Sequence, residues 1–331
     1  MIWCDAGMET NKVENTGKKN NKRLSFRRGF LLLRLTGIVI FIIILTQIDL
    51  SELWEQLLTA DPLLFFLGFV FQVLLLVLKA FRWYLLNPGA RLERNFLQSF
   101  GEFFESYAIG VVTPGRMGEM VKAGYSGKRT GIVGSGLRVL VERGLDVGFF
   151  LLVAGGSIAI ASLVGISTMW GWLLLLLGSG IILVAISLLV SPGALRLVNS
   201  LFLRYRVLRE PVTYSGQKYT DNLLIVILSL GSNLSYFVSC YFLGLAVSME
   251  ASFLYLSGGV AIAGMLNMLP VTVMGLGTRE LTFIYVFNEF IRPKVLAFSG
   301  LVFLVAQVGG GLISLIAGEL FLLAAKKKKN E

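Results

Sequence analysis

The sequence predicts an all-α polytopic membrane protein. It is expected to have about six full transmembrane helices plus two re-entrant, broken helical hairpins that enter from opposite faces, in the manner of an inverted repeat. Three observations carry this expectation. Apolar residues make up 55 % of the 331-residue chain and charged residues 15 %, with a mean hydropathy of +0.76, where a soluble domain carries about 25 % charged residues. Several apolar runs reach the roughly 20 residues that cross a bilayer as a helix. Two further apolar stretches are interrupted by similar chemistry, TPGRMGEMVK (Thr113 to Lys122) and LPVTVMGLGTRE (Leu269 to Glu280), each with Pro, then Gly, then charge.

Taken along the chain, residues 1–29 form a polar tail with Lys12, Lys18, Lys19, Lys22, Arg23, Arg27 and Arg28. Phe30 to Ile48 is the first uninterrupted apolar run. It lacks a small-residue cleavage site and reads as a retained signal anchor. Leu63 to Phe81 is the second span, and Gly171 to Val190 and Leu223 to Leu245 are equally plain. Val139 to Val164 is long enough but carries Glu142, Arg143 and Asp146 near its start. Leu296 to Ala325 carries Gln307 and Glu319, and residues 326–331 form a second basic tail. The domain reading is a single transmembrane unit over 30–325 between two cytoplasmic tails.

Lys and Arg mark cytoplasmic loops, and this orients the spans. The segment Asp49 to Asp61 has four acidic residues and no basic one, so it is expected outside. Arg82, Arg91 and Arg94 then fall inside. If Phe96 to Val112 crossed fully, Arg116, Lys122, Lys128 and Arg129 would fall outside, against the rule. A segment that enters and returns on the cytoplasmic side removes the conflict. The basic loop Ser191 to Asp221 and the tail Lys326 to Lys329 then also lie inside, provided Phe253 to Phe290 is a second hairpin entering from outside. Eight plain spans, which also put both termini inside, are the alternative.

Composition excludes several functions. There is no histidine, so His-based acid–base chemistry and His metal ligation are absent. The two cysteines, Cys4 and Cys240, offer no zinc spacing. No metal site or cofactor is expected. TPGRMGE is not a phosphate-binding P-loop, because no Gly-Lys-Ser/Thr follows, and GLGTRE is not a dinucleotide fingerprint. The net charge of +10 gathers at the ends and in loops, which suits anionic lipid headgroups and not nucleic acid.

The chemistry is concentrated at the two breaks. Pro114, Gly115 and Gly118 interrupt the first segment, and Pro270, Gly275 and Gly277 the second. Broken helices free backbone groups, tolerated at membrane depth only beside a cavity or within protein. A charge at mid-bilayer costs about 2.5–3.5 kcal/mol on insertion scales, so such residues face a cavity or a partner. Arg116, Glu119 and Lys122 follow the first break and Arg279 and Glu280 the second. Together with Arg143 they are the candidate residues for an anionic headgroup. The alternative for Glu119 and Lys122 is a plain loop in water. Arg138, Glu142 and Asp146 share one helical face and are expected to pair along it, with Arg138 snorkelling to phosphates, whereas Arg143 turns off that stripe. Lys79, Arg82 and Trp83 read as an interfacial anchor, with phosphate binding by Arg82 as the alternative. Glu102 and Glu105 are either proton carriers or interfacial residues. Asn267 is positioned to satisfy backbone freed by the break. Asn233 and Gln307 read as interhelical hydrogen-bond glue, and Gly309 to Gly311 as a close packing surface.

At these residues the chain resembles the lysylphosphatidylglycerol synthase transmembrane family of flippase-like membrane proteins. Four segments carry the resemblance in order: KAFRWYLLN (Lys79 to Asn87), VVTPGRMGEMVKA (Val111 to Ala123), LVERGLDVG (Leu140 to Gly148) and LPVTVMGLGTRE. Arg143 matches the recurrent arginine of the third. The resemblance implies a lipid flippase or a related lipid-processing role in the cell membrane. The substrate would be an anionic or aminoacylated phospholipid, or a polyprenyl-phosphate-linked lipid. The aminoacyl-transferase domain of long members has no counterpart in these residues, so a separate lipid- or glycan-modifying enzyme is the implied partner. A transporter is expected over an enzyme. The alternatives are a membrane-embedded transferase acting on a lipid carrier, with Glu119 or Glu280 as base, and a non-catalytic partner of an enzyme.

Overall fold

The computed structural model describes residues 50–87, 96–130, 132–161, 167–191, 193–194, 196–197, 200, 219–269 and 274–330. The expected first span Phe30 to Ile48, Arg91 and Arg94, most of the basic loop after residue 191, Pro270 and the N-terminal tail lie outside the described residues. Among those described there is no strand.

The helices are α1 (Leu50–Leu58), α2 (Pro62–Leu86), α3 (Phe96–Val112), α4 (Val121–Thr130), α5 (Ile132–Ala161), α6 (Thr168–Val190), α7 (Tyr219–Ala246), α8 (Phe253–Met268), α9 (Thr278–Val286), α10 (Arg292–Val302) and α11 (Gly310–Asn330). A 3-10 segment, Pro114–Met120, links α3 to α4, and a π-helical segment, Phe303–Gly309, joins α10 to α11. Five helical stretches are long and apolar enough to cross a membrane: Pro62–Leu86, Gly134–Ile160, Thr168–Val190, Thr220–Ala246 and Arg292–Lys328. They coincide with the five expected spans that fall within the described residues.

Local chemistry starts these helices. Asp61 caps α2, its carboxylate accepting from Leu63 N–H at 2.8 Å and Leu64 N–H at 3.1 Å, with Pro62 opening the first turn. Ser252 caps α8 through Tyr255 N–H. The spans pack in antiparallel pairs. The Ser239 hydroxyl donates to the Gly68 carbonyl at 2.7 Å, tying α7 to the start of α2, while Arg82 near the end of α2 reaches Ser229 at 3.1 Å. Between α5 and α6 small residues let the backbones meet: a Cβ at Gly155 would lie 2.8 Å from the Gly171 carbonyl oxygen.

Both broken segments are hairpins. In the first, the 3-10 segment folds back on α3, so that Gly118 abuts Ile109. In the second, Gly275 abuts Asn267 at the tip, and the Tyr255 hydroxyl donates to the Val286 carbonyl at the open end. They open at opposite ends of the bundle. Phe96 starts the first hairpin 5.4 Å from Tyr84, at the end of α2. The second begins where Ser157, late in α5, donates to the Leu254 carbonyl at 2.6 Å, and where Asp61 N–H, before α2, meets the Ala246 carbonyl. α11 runs back along α3, with a Cβ at Gly101 meeting Leu322, so exposed Lys326 to Lys328 lie at the end where α2 finishes.

The buried side chains form two apolar clusters. One surrounds the second hairpin, with Phe237, Leu256, Phe283, Phe287 and Phe298 at its centre. The other surrounds the first, with Trp83, Phe100, Phe103, Tyr107 and Val139. Tyr236, halfway along α7, packs against both.

Candidate functional site

The first hairpin tip is built by Thr113. Its hydroxyl donates to the Gly110 carbonyl at 3.0 Å and accepts from Gly118 N–H at 2.7 Å, which satisfies backbone left open by Pro114. Gly115 (φ 59°) and Arg116 (φ 53°) take the left-handed conformation. For arginine that costs about 1–2 kcal/mol, and it turns the guanidinium back over the Tyr107 ring, 5.2 Å from its centre. Arg116 Nη2–H donates to Tyr107 Oη at 3.4 Å. Gly118 leaves room for the turn, since a Cβ there would lie 2.6 Å from the Ile109 carbonyl oxygen.

Two neighbours on α5 grip this tip. Arg143 pairs with Glu119 at 2.7 Å and donates to the Arg116 carbonyl at 3.3 Å. Glu142 pairs with Lys122 at 2.5 Å. Because Glu119 and Lys122 lie one helical turn apart, the two clasps are of opposite sign. Lys122 also lies 5.0 Å over the Trp83 ring and 5.6 Å over Phe103. Glu142 extends the network to Arg82 at 2.8 Å. Arg82 meets Asp146 through two bonds, of 2.7 and 3.1 Å, and Lys79 meets Asp146 at 2.8 Å. Asn233 Nδ2 donates to Asp146 at 3.1 Å. In the ion pairs so linked, five cations (Lys79, Arg82, Arg116, Lys122, Arg143) meet three carboxylates (Glu119, Glu142, Asp146). Among the described residues, cations in these linked pairs outnumber carboxylates by two.

The excess faces a cavity of about 70 Å³, lined by Gln72, Lys79 and Leu75 of α2, Tyr107, Arg116, Asn233, Tyr236, Gln307 and residues of the second hairpin that include Gly264 and Asn267. One water needs about 10–15 Å³ on this measure, so the space suits a cluster of waters or one phosphate-sized group. The tips of both hairpins border it, halfway along α2 and α7. An apolar groove of about 460 Å³ adjoins it. It runs between α3 and α11, past Ile109, Val112, Val308 and Leu315, with Glu105 and Glu319 also on its lining. Gln307 lines both spaces.

The second hairpin tip has its own ion pair. Met274 (φ 56°), Gly275 (φ 75°) and Gly277 (φ 81°) form the turn into α9. Gly277 N–H donates to Glu280 Oε2 at 2.7 Å, and the Thr278 hydroxyl donates to Asn267 Oδ1 at 3.1 Å. Arg279 pairs with Glu280, donates to the Ser299 hydroxyl at 2.8 Å, and lies 5.3 Å over the Phe303 ring of the π segment. Ser299 in turn donates to Glu280 at 2.8 Å.

The six expected headgroup residues therefore fall into two groups. Arg116, Glu119, Lys122 and Arg143 come together, and Arg116 lines the cavity. Arg279 and Glu280 are buried beside Ser299 and do not line it. Several sequence expectations need correction. For Lys122 and Glu119 it is the alternative, a loop in water, that does not hold: both are buried, and Glu142 and Arg143 neutralise them. Arg82 and Trp83 are not an interfacial anchor: both are 0 % exposed, since Asp146 and Glu142 draw the guanidinium inward. Arg138 is buried too and does not snorkel. Glu142 and Asp146 pair across to other helices, not along α5. Asn233 is interhelical glue as expected, whereas no hydrogen-bond partner meets Gln307 Oε1. Asn267 bonds a side chain of the turn, Thr278. The signal for the Arg82 network was present in sequence: two apolar spans carry complementary pairs at helical spacing, Lys79/Arg82 and Glu142/Asp146. Tyr107, Tyr236 and Gln72 gave no such signal.

The family model described as the lysylphosphatidylglycerol synthase TM region matches residues 29–314. The chain belongs to this family. Among curated proteins none matches it. Membership in the lysylphosphatidylglycerol synthase transmembrane family, together with the apolar helices, makes the chain a multi-pass membrane protein related to lipid modification or transport. The match covers both hairpins and the α5 charges between them, so the ion-pair network lies within the family region.

Proposed function

We propose that the protein is a flippase-like translocase that carries a lipid with a phosphate headgroup across the plasma membrane. The observation that carries the reading is the cavity where the two hairpin tips meet. It lies midway through the bundle, is bordered by Arg116 and Lys79 of a network in which cations outnumber carboxylates, and shares the lining residue Gln307 with an apolar groove. A phosphate is bound by guanidinium and ammonium groups, and a guanidinium can engage it by two parallel bonds. The chains of the same lipid stay in the groove, whose Val112, Leu312 and Leu315 are exposed on the surface of the bundle. Glu119 and Glu280 balance charge while the site is empty. Arg143 reaches the phosphate when Glu119 releases it. Arg279 fixes the second hairpin against α10 and the π segment, and so holds the far wall of the cavity.

Both tails are placed in the cytoplasm, from their lysines and arginines. The single unit 30–325 acts without a bound cofactor or metal, and a separate lipid- or glycan-modifying enzyme supplies or consumes the lipid. The deciding experiment uses purified protein in liposomes that contain a fluorescent anionic phospholipid in both leaflets. Added membrane-impermeant reductant bleaches only the outer leaflet in control vesicles. Bleaching beyond that fraction, lost in Arg116→Ala, is the expected result. Chemically altered lipid would point to a transferase, and no movement at all would point to a non-catalytic partner.

A further inference from the structure

We infer that Gln72 and Gln307 form a hydroxyl-recognising pair beside the phosphate site, so that the cavity takes a headgroup bearing neutral hydroxyls and not one bearing an ammonium. This rests on the reading that a lipid headgroup occupies the cavity. Gln72 sits in the middle of an apolar span and is 1 % exposed, yet its Oε1 has no hydrogen-bond partner. Gln307 Oε1 has none either. Both residues line the cavity. Buried polar groups are almost always hydrogen-bonded, so two unmatched acceptor oxygens on residues lining one cavity mark a place where a donor arrives from outside the protein.

The surroundings fix where that partner lies. Gly310 lets α11 close on the pair: a Cβ there would lie 3.2 Å from Gln72 Nε2 and 3.6 Å from Tyr107 Oη. The same tyrosine hydroxyl accepts from Arg116 at 3.4 Å. Tyr107 therefore stands between the Gln72 amide and the Arg116 guanidinium, so the groups these two side chains bind are close neighbours in one headgroup. The π segment presents Gln307 here, as Gly310 N–H bonds back to the Gln307 and Val305 carbonyls.

Chemical complementarity decides the class. A carboxamide offers a donor and an acceptor and no charge. A hydroxyl matches both. An ammonium would also serve the unmatched Oε1 atoms, but it would enter beside linked ion pairs in which, among the described residues, cations outnumber carboxylates by two. A carboxylate only accepts and leaves Oε1 unmatched. The occupant is a phosphate carrying hydroxyls, as in a glycerol, inositol or sugar phosphate headgroup.

The test measures binding of dioctanoyl phosphatidylinositol, phosphatidylglycerol, phosphatidylethanolamine and lysyl-phosphatidylglycerol to the purified full-length protein in detergent, by native mass spectrometry. The first two are expected to bind about tenfold more tightly than the last two, the worth of one hydrogen bond or charge clash. Gln72→Met and Gln307→Met, near-isosteric with the native residues, are expected to erase that preference, whereas Arg116→Gln weakens all four lipids alike. Ethanolamine or lysyl lipid binding as tightly as the inositol lipid overturns the inference, as does preference surviving in both Met variants or no binding by any lipid. The same lipids in liposomes separate the two readings. Selective binding without movement between leaflets overturns the translocase and leaves the hydroxyl pair. Movement without selectivity overturns the pair and leaves the translocase.

Discussion

Arg82 and Asp146 face each other fork to fork, Nη1 to Oδ1 at 2.7 Å and Nη2 to Oδ2 at 3.1 Å, with the arginine fully buried between α2, α5 and α7. Two spans that read as separate apolar runs are locked by this contact. Removing one member of a buried pair leaves an uncompensated charge, at about 3–5 kcal/mol. Arg82→Ala and Asp146→Ala are each expected to lower thermal stability of the purified protein in detergent by that amount. The double variant should lose less than the sum, because the two changes share the Arg82–Asp146 interaction, while Glu142 and Lys79 each lose a partner in one of them. Additive losses would show that the pair is not coupled.

The first hairpin depends on the clasp from α5. Glu119 holds Arg143 at 2.7 Å and lies 3.8 Å from Arg116. It therefore competes with any phosphate for both guanidinium groups. Glu119→Gln is expected to tighten binding of a short-chain anionic phospholipid several-fold and to slow its release, with less effect on a zwitterionic lipid. Equilibrium binding and stopped-flow dissociation read both. Weaker anionic binding would place the lipid phosphate elsewhere.

Gly275 is a steric requirement of the second tip. It sits at φ 75°, and a Cβ would lie 2.5 Å from Asn267 Oδ1. Alanine adds the left-handed penalty, about 1–2 kcal/mol, to that contact. Gly275→Ala should lower the melting temperature and reduce accumulation in the membrane. Combining it with Asn267→Ala should recover part of the loss, since the clashing atom is then gone, while the backbone penalty persists. Full recovery would mean that strain at φ 75° contributes nothing.

The meeting of the two hairpins can be tested directly. Arg116 and Met268 line one cavity from opposite hairpins. Cysteines at these positions, in a background lacking Cys4 and Cys240, are expected to join through a short bifunctional thiol reagent in native membranes. A cysteine at Lys328 paired with one at Leu269 serves as the control that should not join, because α11 ends at the far end of the bundle. Cross-linking of the control with equal yield, or none at 116 and 268, would require another arrangement of the tips.

Much of this molecule was legible in one dimension. Hydropathy alone determined the five described spans, because a stretch that meets lipid must be apolar along its whole length and satisfy its backbone internally. Pro and Gly at 113–122 and 269–280 located both breaks, because few residues tolerate the backbone they require. The count of basic residues in loops led to hairpins opening at opposite ends, and the structure has them so. What the sequence could not determine was which charges are interior. Lys79, Arg82 and Trp83 have the composition of an interfacial anchor, and only the approach of α5 makes them a buried network. For side-chain partners separated by 60 or more residues, such as Arg82 with Glu142 and Asp146, helical spacing offers the complementary charges, but only helix packing joins them. The same holds for the cavity. Gln72, Tyr107, Asn267 and Gln307 belong to four helices, each placed by its own apolar face, and it is their convergence between two hydrophobic clusters that leaves a polar space in the middle of a bundle built for lipid.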